Sequence, residues 1–392
     1  MTRTRIAAIG FGLVSLAAVM GWLFFREPDL SRIPVRSPEE LERELDAMRA
    51  RAGIPGMSAA IAEGDRIVWA RGFGMANRER TIAAGPDTIY HLASVSKTYG
   101  STIVLQLVDE RRLTLDDPVS RFGLVMERSV PVTIRHLLSH TSGEPPGTRY
   151  RYDGNAFGSL TQMIERVTGQ PYAQVFTERI IRSLALTRTA PNPGDPHAFW
   201  SVVASVEVTP ADVESARAVF AATGIDRGPI EAALAQGYAR AWGRSIWPTG
   251  LSGPMRPMPH GFTVSTTAGV VASAPDLARF SIALDQGRLL KGETGRLAWT
   301  PPLAPDGKRL PYALGWFVQE IDGRTIVWHY GHGLESSALI LKIPDERATF
   351  VILANSDGLS RWRGLGDSAD VTASPAATLF LNYRGMLRRV VP

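Results

Sequence analysis

The sequence of 392 residues contains no cysteine. This absence excludes a disulfide framework, a thiolate nucleophile, an iron–sulfur cluster and any zinc site that needs thiolates. A strong excess of one charge is also missing, because 43 Lys and Arg residues face 38 Asp and Glu residues for a net charge of +5. No basic run with interleaved aromatic residues occurs beyond the N-terminus, so no nucleic-acid partner is expected. The chemistry must come from oxygen and nitrogen side chains.

Several motifs are absent, and lysine is scarce. No Gly-x-Ser-x-Gly occurs, which excludes the nucleophile elbow of the α/β-hydrolases, and no glycine pattern typical of nucleotide binding occurs either. The basic residues are almost all arginine. Each lysine is therefore informative, and the four are Lys97, Lys291, Lys308 and Lys342.

The N-terminus contains a long uncharged run at residues 6–25, preceded by Arg3 and Arg5. As a helix it spans about 30 Å, the thickness of a bilayer core. A cleaved signal peptide is the alternative, but the end of the run is bulky where a small-x-small cleavage site is needed. We therefore predict a cytoplasmic tail (1–5), a transmembrane signal anchor (6–25) and a linker (26–36). The arginine pair predicts a single-pass protein of the inner (cytoplasmic) membrane whose remaining chain is periplasmic.

Two segments after the linker have clear local signals. The sequence Ser37-Pro38-Glu39-Glu40 contains an N-cap, a proline for the first turn and a capping-box glutamate, which together predict a helix that ends at Gly53. Residues 57–71 contain two β-prone runs separated by Gly64-Asp65, which predicts a hairpin.

Strand signals return near the end of the chain, after a middle region of helices and loops. From Tyr312 onward, apolar and polar residues alternate, with turns at Asp322-Gly323 and at 344–346 between three predicted strands. Strands at both ends of a helical middle indicate one α/β (α+β) domain over residues 37–392. Its α-rich lobe, about residues 101–264, is inserted into a discontinuous sheet lobe.

Ser94 and Lys97 lie at the start of a helical pattern. A spacing of three puts both side chains on one face of a helix, so the Lys97 amine can reach the Ser94 hydroxyl. Serine is a poor nucleophile until a base takes its proton, and a lysine shielded from water can be that base. Arginine cannot, because it stays protonated. The Ser-x-x-Lys pattern alone is weak evidence, since so short a motif also arises by chance.

Five short motifs follow one another along the chain. They are Pro55-Gly56-Met57, Ser94-Val95-Ser96-Lys97, the run from Thr133 to Gly143, the run from Pro146 to Tyr152, and Trp328-His329-Tyr330-Gly331. In this order they resemble the serine β-lactamase-like family of class C β-lactamases and penicillin-binding-protein-related hydrolases. The resemblance implies a β-lactamase/transpeptidase-like fold, in which helices flank an antiparallel sheet and an α-rich lobe is inserted. It implies neither a metal nor an organic cofactor.

The resemblance also implies the roles of three residues. Ser94 is the acyl-accepting nucleophile and Lys97 its proton acceptor. Tyr152 is the phenol that passes a proton between Ser94, the leaving group and the deacylating water. A phenol with a pKa of about 10 can do so only if a nearby cation such as Lys97 favours the phenolate.

The family's strand motif, Lys-Thr-Gly or His-x-Gly, falls on His329, Tyr330 and Gly331. A second register, starting at His332, stays open. In the first register, His329 and Gly331 line the substrate site, and the backbone N–H groups of Ser94 and His332 form the oxyanion hole.

The chain departs from the family at two points. Gly154 stands where the Tyr-x-Asn motif has asparagine, and Asn155 comes one position late. Either Asn155 replaces the missing amide through a local bulge, or the substrates are compounds such as esters that do not need it. In addition, a histidine replaces the lysine that β-lactam-hydrolysing members use against a substrate carboxylate, and an imidazole is mostly neutral at pH 7.

His136 and His140 are four residues apart and suggest a metal pair. However, Leu137 stands where the zinc-protease motif needs glutamate, so the family resemblance makes both histidines structural and predicts no metal site.

Together these observations predict a membrane-anchored, envelope-facing serine hydrolase that forms an acyl-enzyme with a small-molecule ester, amide or peptide. A non-catalytic envelope binding protein of the same fold is the alternative from another class. Among enzymes, esterase, D-amino-acid-specific peptidase and β-lactamase stay open. The motif histidine and Gly154 favour the first two over β-lactamase.

Overall fold

A computed structural model describes residues 33–194, 209–240, 255–258, 264–360, 365 and 369–387. The predicted tail, the predicted anchor and most of the linker lie outside these residues, so the anchor stays a prediction. Within the described ranges, no helix is long and apolar enough to cross a membrane.

The elements are labelled in chain order. The strands are β1 (Gly56–Glu63), β2 (Arg66–Asn77), β3 (Ile82–Ala83), β4 (Ile89–His91), β5 (Thr189–Pro191), β6 (Gly237–Arg240), β7 (Met255–Met258), β8 (Val270–Ser273), β9 (Phe317–Ile321), β10 (Arg324–His332), β11 (Ser337–Ile343) and β12 (Ala348–Ala354). The α-helices are α1 (Pro38–Ala52), α2 (Ser96–Asp109), α3 (Ile134–Leu138), α4 (Gly154–Gly158), α5 (Leu160–Thr168), α6 (Tyr172–Phe176), α7 (Pro210–Ala221), α8 (Arg227–Ala233), α9 (Ala274–Asp285), α10 (Gly292–Ala298) and α11 (Pro375–Tyr383). A 3₁₀ turn, Ala93–Val95, precedes α2.

The largest sheet joins two distant parts of the chain. Its strand order is β3-β2-β1-β12-β11-β10-β9, and every neighbouring pair is antiparallel. β1 pairs with β12, with Met57 opposite Ala354 and Glu63 opposite Ala348. The helices α2 to α10 come between the two sets of strands in sequence. The predicted antiparallel sheet flanked by helices is therefore confirmed.

Both faces of this sheet are buried, which is why β11 and β12 are continuous apolar runs with little alternation. One face packs on α1 and α11, where the Phe350 and Phe380 rings stack with their centroids 4.8 Å apart. The other face, which includes Ala60 and Val351, packs on α9 and the helices that follow Ser94. The sheet thus separates two apolar layers, and the second layer supports the site described below.

The local predictions near the start of the domain are confirmed. Ser37 caps α1 by accepting a hydrogen bond from the Glu40 N–H at 3.2 Å. Gly53 ends the helix with φ +65°, a conformation that favours glycine. The predicted hairpin is β1 and β2, with Gly64 in the turn at φ +61°.

The end of the sheet has four strands where the sequence predicted three. The additional turn lies at residues 333–336, between β10 and β11, and the Gly333 N–H closes it by donating to the Ser336 carbonyl at 2.9 Å. This turn contains neither proline nor an Asp-Gly pair like that of the preceding turn. The sequence therefore predicts one continuous strand where the structure has β10 and β11.

Asn355 fastens the end of β12 to β1 and β2. Its Oδ1 accepts from the Gly56 N–H at 2.8 Å, and its Nδ2 donates to the carbonyls of Met75 at 3.1 Å and Ala76 at 3.3 Å. The side chain is buried, so its loss would leave backbone groups without partners in a dry environment.

Replacing this side chain should weaken the whole domain. We expect Asn355→Ala to lower the free energy of unfolding by about 2–4 kcal/mol, because buried hydrogen bonds are lost. Denaturant unfolding of the full-length protein in mild detergent measures the change. The matched control is Asn77→Ala, since Asn77 accepts only the Arg80 N–H at the surface, and about 1 kcal/mol or less is expected. Equal losses in the two variants would contradict the role of Asn355.

Candidate active site

Ser94 lies in the 3₁₀ turn between β4 and α2. β4 pairs with β8, and just beyond it the Leu92 N–H donates to the Val270 carbonyl at 2.9 Å, which fixes the chain next to the serine. Ala93 has φ +45°, a left-handed conformation that costs a residue other than glycine about 1–3 kcal/mol. Strain of this kind concentrates at functional sites, and here it presents a half-buried Ser94 hydroxyl.

Lys97 is buried directly beneath Ser94. Its Nζ lies 3.0 Å from Ser94 Oγ and donates to the Thr267 carbonyl at 3.1 Å. The same Nζ is 5.1 Å from the centroid of the Tyr152 ring and 5.6 Å from that of Phe157. The side chain is 1% exposed, so the amine has lost nearly all its hydration.

Burial lowers the pKa of Lys97 to about 7. No carboxylate of the described ranges forms an ion pair with this amine to oppose the change. The neutral amine is therefore populated near pH 7, and its lone pair can accept the Ser94 proton. The arrangement confers on Lys97 the chemistry of a general base.

Tyr152 is a half-buried side chain beside this pair. Its hydroxyl oxygen is inaccessible to solvent and makes no hydrogen bond within the described part of the chain. Burial raises the pKa of Tyr152 well above its ordinary value, and the nearby Ser94 hydroxyl opposes the rise only in part. Tyr152 is thus neutral at rest and able to donate a proton, while a phenolate would need the charged Lys97 beside it.

His329 lies fully buried on β10, with both nitrogens engaged inside the protein. Its Nδ1 donates to the Tyr330 carbonyl at 2.7 Å, and its Nε2 accepts from the Tyr312 hydroxyl at 2.8 Å. Burial, and to a lesser extent the charge of Lys97, lower the pKa of His329 to about 3. His329 is therefore neutral near pH 7, lies within electrostatic reach of Lys97 and is hydrogen-bonded to Tyr312.

Gly331 brings β10 against the segment that precedes Ser94. A Cβ at this position would overlap the Leu92 carbonyl, so only glycine allows the strand to approach. A Cβ at Gly333 would instead meet the Ser336 side chain within its own turn. The geometry favours the register that starts at His329. His332 follows Gly331 at the end of β10, and its role in the oxyanion hole stays a prediction.

The departure at Gly154 has a direct structural consequence. Asp153 caps α4 with its side chain, so the helix starts at Gly154 without a bulge. Asn155 is exposed, and the structure does not bring it to Lys97. Instead, the Thr267 carbonyl accepts from the amine, and a Cβ on Gly154 would lie 3.6 Å from Thr267 Oγ1.

Sequence reasoning missed three contributors to this site. Thr267 acts through its backbone carbonyl, which leaves no side-chain signal. Tyr312 is one tyrosine among nine, and only its distance to His329 distinguishes it. His140, which the sequence predicts to be structural, contacts Tyr152, with ring centroids 4.4 Å apart.

His136 and His140 each accept a hydrogen bond from a backbone N–H group. His136 lies in α3 and accepts the Thr133 N–H on Nδ1 at 3.2 Å, whereas His140 lies beyond the helix with φ +53°. Across the described ranges, no group of three or more His, Cys, Asp or Glu side chains is arranged to hold a metal ion.

A serine hydrogen-bonded to a buried lysine and next to a half-buried tyrosine, beside strand β10 of an antiparallel sheet, is an arrangement suited to acyl transfer. The profile of the Beta-lactamase family matches residues 41–372, and the chain belongs to this family. The resemblance predicted from the five motifs is thus confirmed, and the homologues in this family are serine hydrolases.

Individual relatives are distant. D-alanyl-D-alanine-carboxypeptidase/endopeptidase AmpH of Escherichia coli (strain K12) is 23% identical over 221 residues, which are 46% of this chain and 57% of that protein. The chain spans between about two fifths and three fifths of the length of the curated relatives it matches.

Solved structures confirm the fold over most of the chain. The octameric penicillin-binding protein homologue from Pyrococcus abyssi has a TM-score of 0.66 at 22% identity, covering 88% of this chain and 80% of that one. The D-amino acid amidase from Ochrobactrum anthropi SV3, complexed with L-phenylalanine, has a TM-score of 0.64 at 17% identity, covering 88% and 98%. The β-lactamase/transpeptidase-like fold is therefore confirmed.

The pKa of Lys97 predicts how acylation depends on pH. The rate of Ser94 acylation should rise with pH through an inflection near 7 and level off above it, because Lys97 must lose its proton before it can accept another. Reaction of the full-length protein with a fluorophosphonate from pH 5 to about 9 measures this rate.

Lys97→Arg is the matched variant, because arginine keeps the positive charge but does not deprotonate. We expect a loss of at least about 100-fold and no inflection near neutral pH. A wild-type rate that falls above pH 7 would show that the charged amine is the active form and would contradict the base role.

Proposed function

We propose that this protein is a serine hydrolase that cleaves an ester or amide bond through an acyl-enzyme on Ser94, with Lys97 and Tyr152 as acid/base groups. The observation that carries the proposal is the buried Lys97 amine, 3.0 Å from Ser94 Oγ, with a pKa of about 7. The proposed location on the periplasmic side of the membrane, through an anchor at residues 6–25, is supported by the sequence alone.

The proposed acylation moves one proton along the three side chains. Neutral Lys97 takes the Ser94 proton as Oγ bonds to the substrate carbonyl carbon. The N–H groups of Ser94 and His332 are the proposed donors to the oxyanion. As the scissile bond breaks, Tyr152 gives its proton to the leaving alcohol or amine and receives one from Lys97. Water then attacks the acyl group, and the same groups act in the reverse direction to release the acid.

The proposed substrates are esters and amides without a free carboxylate beside the scissile bond. Two features support this choice: His329 is neutral with both nitrogens engaged, and Gly154 supplies no amide for a substrate amide. The name of one similar protein, a D-amino acid amidase, supports amides and esters of D-amino acids as the first compounds to test. β-Lactams are the last class to test, after esters and amides, because they carry a carboxylate near the scissile bond.

Covalent labelling tests the nucleophile directly. We expect a fluorophosphonate probe to add to the full-length protein once, at Ser94, as detected by intact mass and peptide mapping. Ser94→Ala should lose the label and at least about 1000-fold of ester hydrolysis, because Ser94 is the one hydroxyl among the described residues that is hydrogen-bonded to the Lys97 amine. Heat-denatured protein is the control and should not react. A folded wild type that resists the probe would favour the non-catalytic binding protein instead.

Restoring the family's asparagine tests the preference for esters. The Gly154 backbone is not in the left-handed region, so asparagine fits, and its amide would lie beside Thr267. We expect Gly154→Asn to raise amide hydrolysis relative to ester hydrolysis about fivefold, the value of one additional hydrogen bond. Paired ester and amide substrates with the same acyl group measure the ratio.

Asn155→Ala is the companion variant, and its ratio should change less than about twofold, because Asn155 is exposed. A large loss of amide hydrolysis in Asn155→Ala would place Asn155 in the site and contradict the interpretation of Gly154.

A further inference from the structure

His140 holds the backbone on both sides of Tyr152. Its carbonyl oxygen accepts from the Arg151 N–H at 2.9 Å, and its Nδ1 accepts from the Asp153 N–H at 3.1 Å. Because Arg151 and Asp153 are the immediate neighbours of Tyr152, one residue fixes the chain before and after the phenol.

The imidazole ring makes a third contact, with Tyr152 itself. The two ring centroids are 4.4 Å apart, and the Tyr312 ring lies 4.7 Å from the imidazole on another side. His140 is only 1% exposed, so its ring is enclosed by protein and packs against the phenol. Movement of the phenol towards His140 would therefore require displacement of the imidazole.

His140 occupies this position at a cost in stability. Its φ of +53° lies in the left-handed region, which few residues other than glycine adopt. Since Nδ1 accepts a hydrogen bond, the proton of the neutral ring is on Nε2, which is buried and has no partner within the described ranges. Burial and the charge of Lys97 lower the pKa of His140 well below its ordinary value, which keeps Nδ1 free to accept. Costs of this kind are expected where function requires the residue.

We propose that His140 is a positioning residue for Tyr152: its carbonyl and Nδ1 hold residues 151 and 153, and its ring holds the phenol against Ser94 and Lys97. This inference rests on the proposed function, because it concerns the residue that shuttles the proton. It assigns His140 a role in turnover that acts through Tyr152.

Two variants that both tolerate a positive φ separate the acceptor from the backbone conformation. His140→Asn keeps an acceptor near the place of Nδ1, and His140→Gly removes it. We expect the Asn variant to keep kcat for a p-nitrophenyl ester within about fivefold of wild type. The Gly variant should lose about 10- to 100-fold in kcat, with KM changed less than about threefold.

A double-mutant cycle tests whether the effect passes through Tyr152. In the Tyr152→Phe background, His140→Gly should change kcat less than about threefold, because the group being positioned is already lost. Equal losses in both backgrounds would show a general structural role and overturn the inference, as would equal kcat values for the Asn and Gly variants. If the Gly variant does not fold, His140→Leu, which has no acceptor, is used in the double-mutant cycle, where the cost of its positive φ is common to both backgrounds and cancels.

His136→Asn is the control, since His136 accepts a backbone N–H in the same way but lies outside the site. Its kcat should stay within about twofold of wild type. Failure of this inference is distinguishable from failure of the proposed function. A wild type without turnover and without labelling at Ser94 overturns both, whereas an active wild type with additive losses overturns only the role of His140.

Discussion

The site depends on one constraint, the burial of the Lys97 amine beside the Ser94 hydroxyl. Lowering the pKa of Lys97 from 10.5 to about 7 corresponds to a loss of stability on the order of a few kcal/mol. This loss is fully present below pH 7, where both states bind the proton. Between pH 7 and pH 10.5 only the unfolded chain is protonated, so the loss shrinks as the pH rises. The apolar layers on both faces of the sheet offset it. An exposed lysine would cost nothing, but it would stay protonated and could not serve as a base.

The side chains around this amine keep positive charge out of the pocket. Burial and the charge of Lys97 lower the pKa values of His140 and His329, so both imidazoles are neutral near pH 7. A second cation would lower the pKa of Lys97 still further and would compete for the same proton. Neutrality has a further consequence for binding. His329 therefore supplies no positive charge that could face a substrate carboxylate.

Sequence reasoning succeeded where the signal is local and failed where it depends on the fold. The ends of α1 and the first hairpin were predictable from a cap and a turn sequence. The Ser94–Lys97 pair was predictable because a spacing of three determines the geometry on a helix. The contact between Lys97 and the Thr267 carbonyl was not predictable. The two residues are 170 positions apart in sequence, and the contact uses a backbone oxygen, which every residue has. The contact of His140 with Tyr152 was hidden for a similar reason, because it needs a left-handed residue at the end of α3.

Comparison of the two buried lysines shows which feature distinguishes a base from a structural cation. Lys342, like Lys97, is a lysine in an arginine-rich chain and is fully buried. However, its Nζ lies 2.9 Å from Asp285 Oδ2 and also contacts Ser281, so the carboxylate and hydrogen bonds favour its charged form against burial. Lys97 has a hydroxyl and a carbonyl as partners and no acid within the described ranges. Burial is therefore common to both lysines and does not distinguish them. Lys97 differs because no carboxylate of the described ranges is paired with it, so its amine can lose its proton and accept one from a serine.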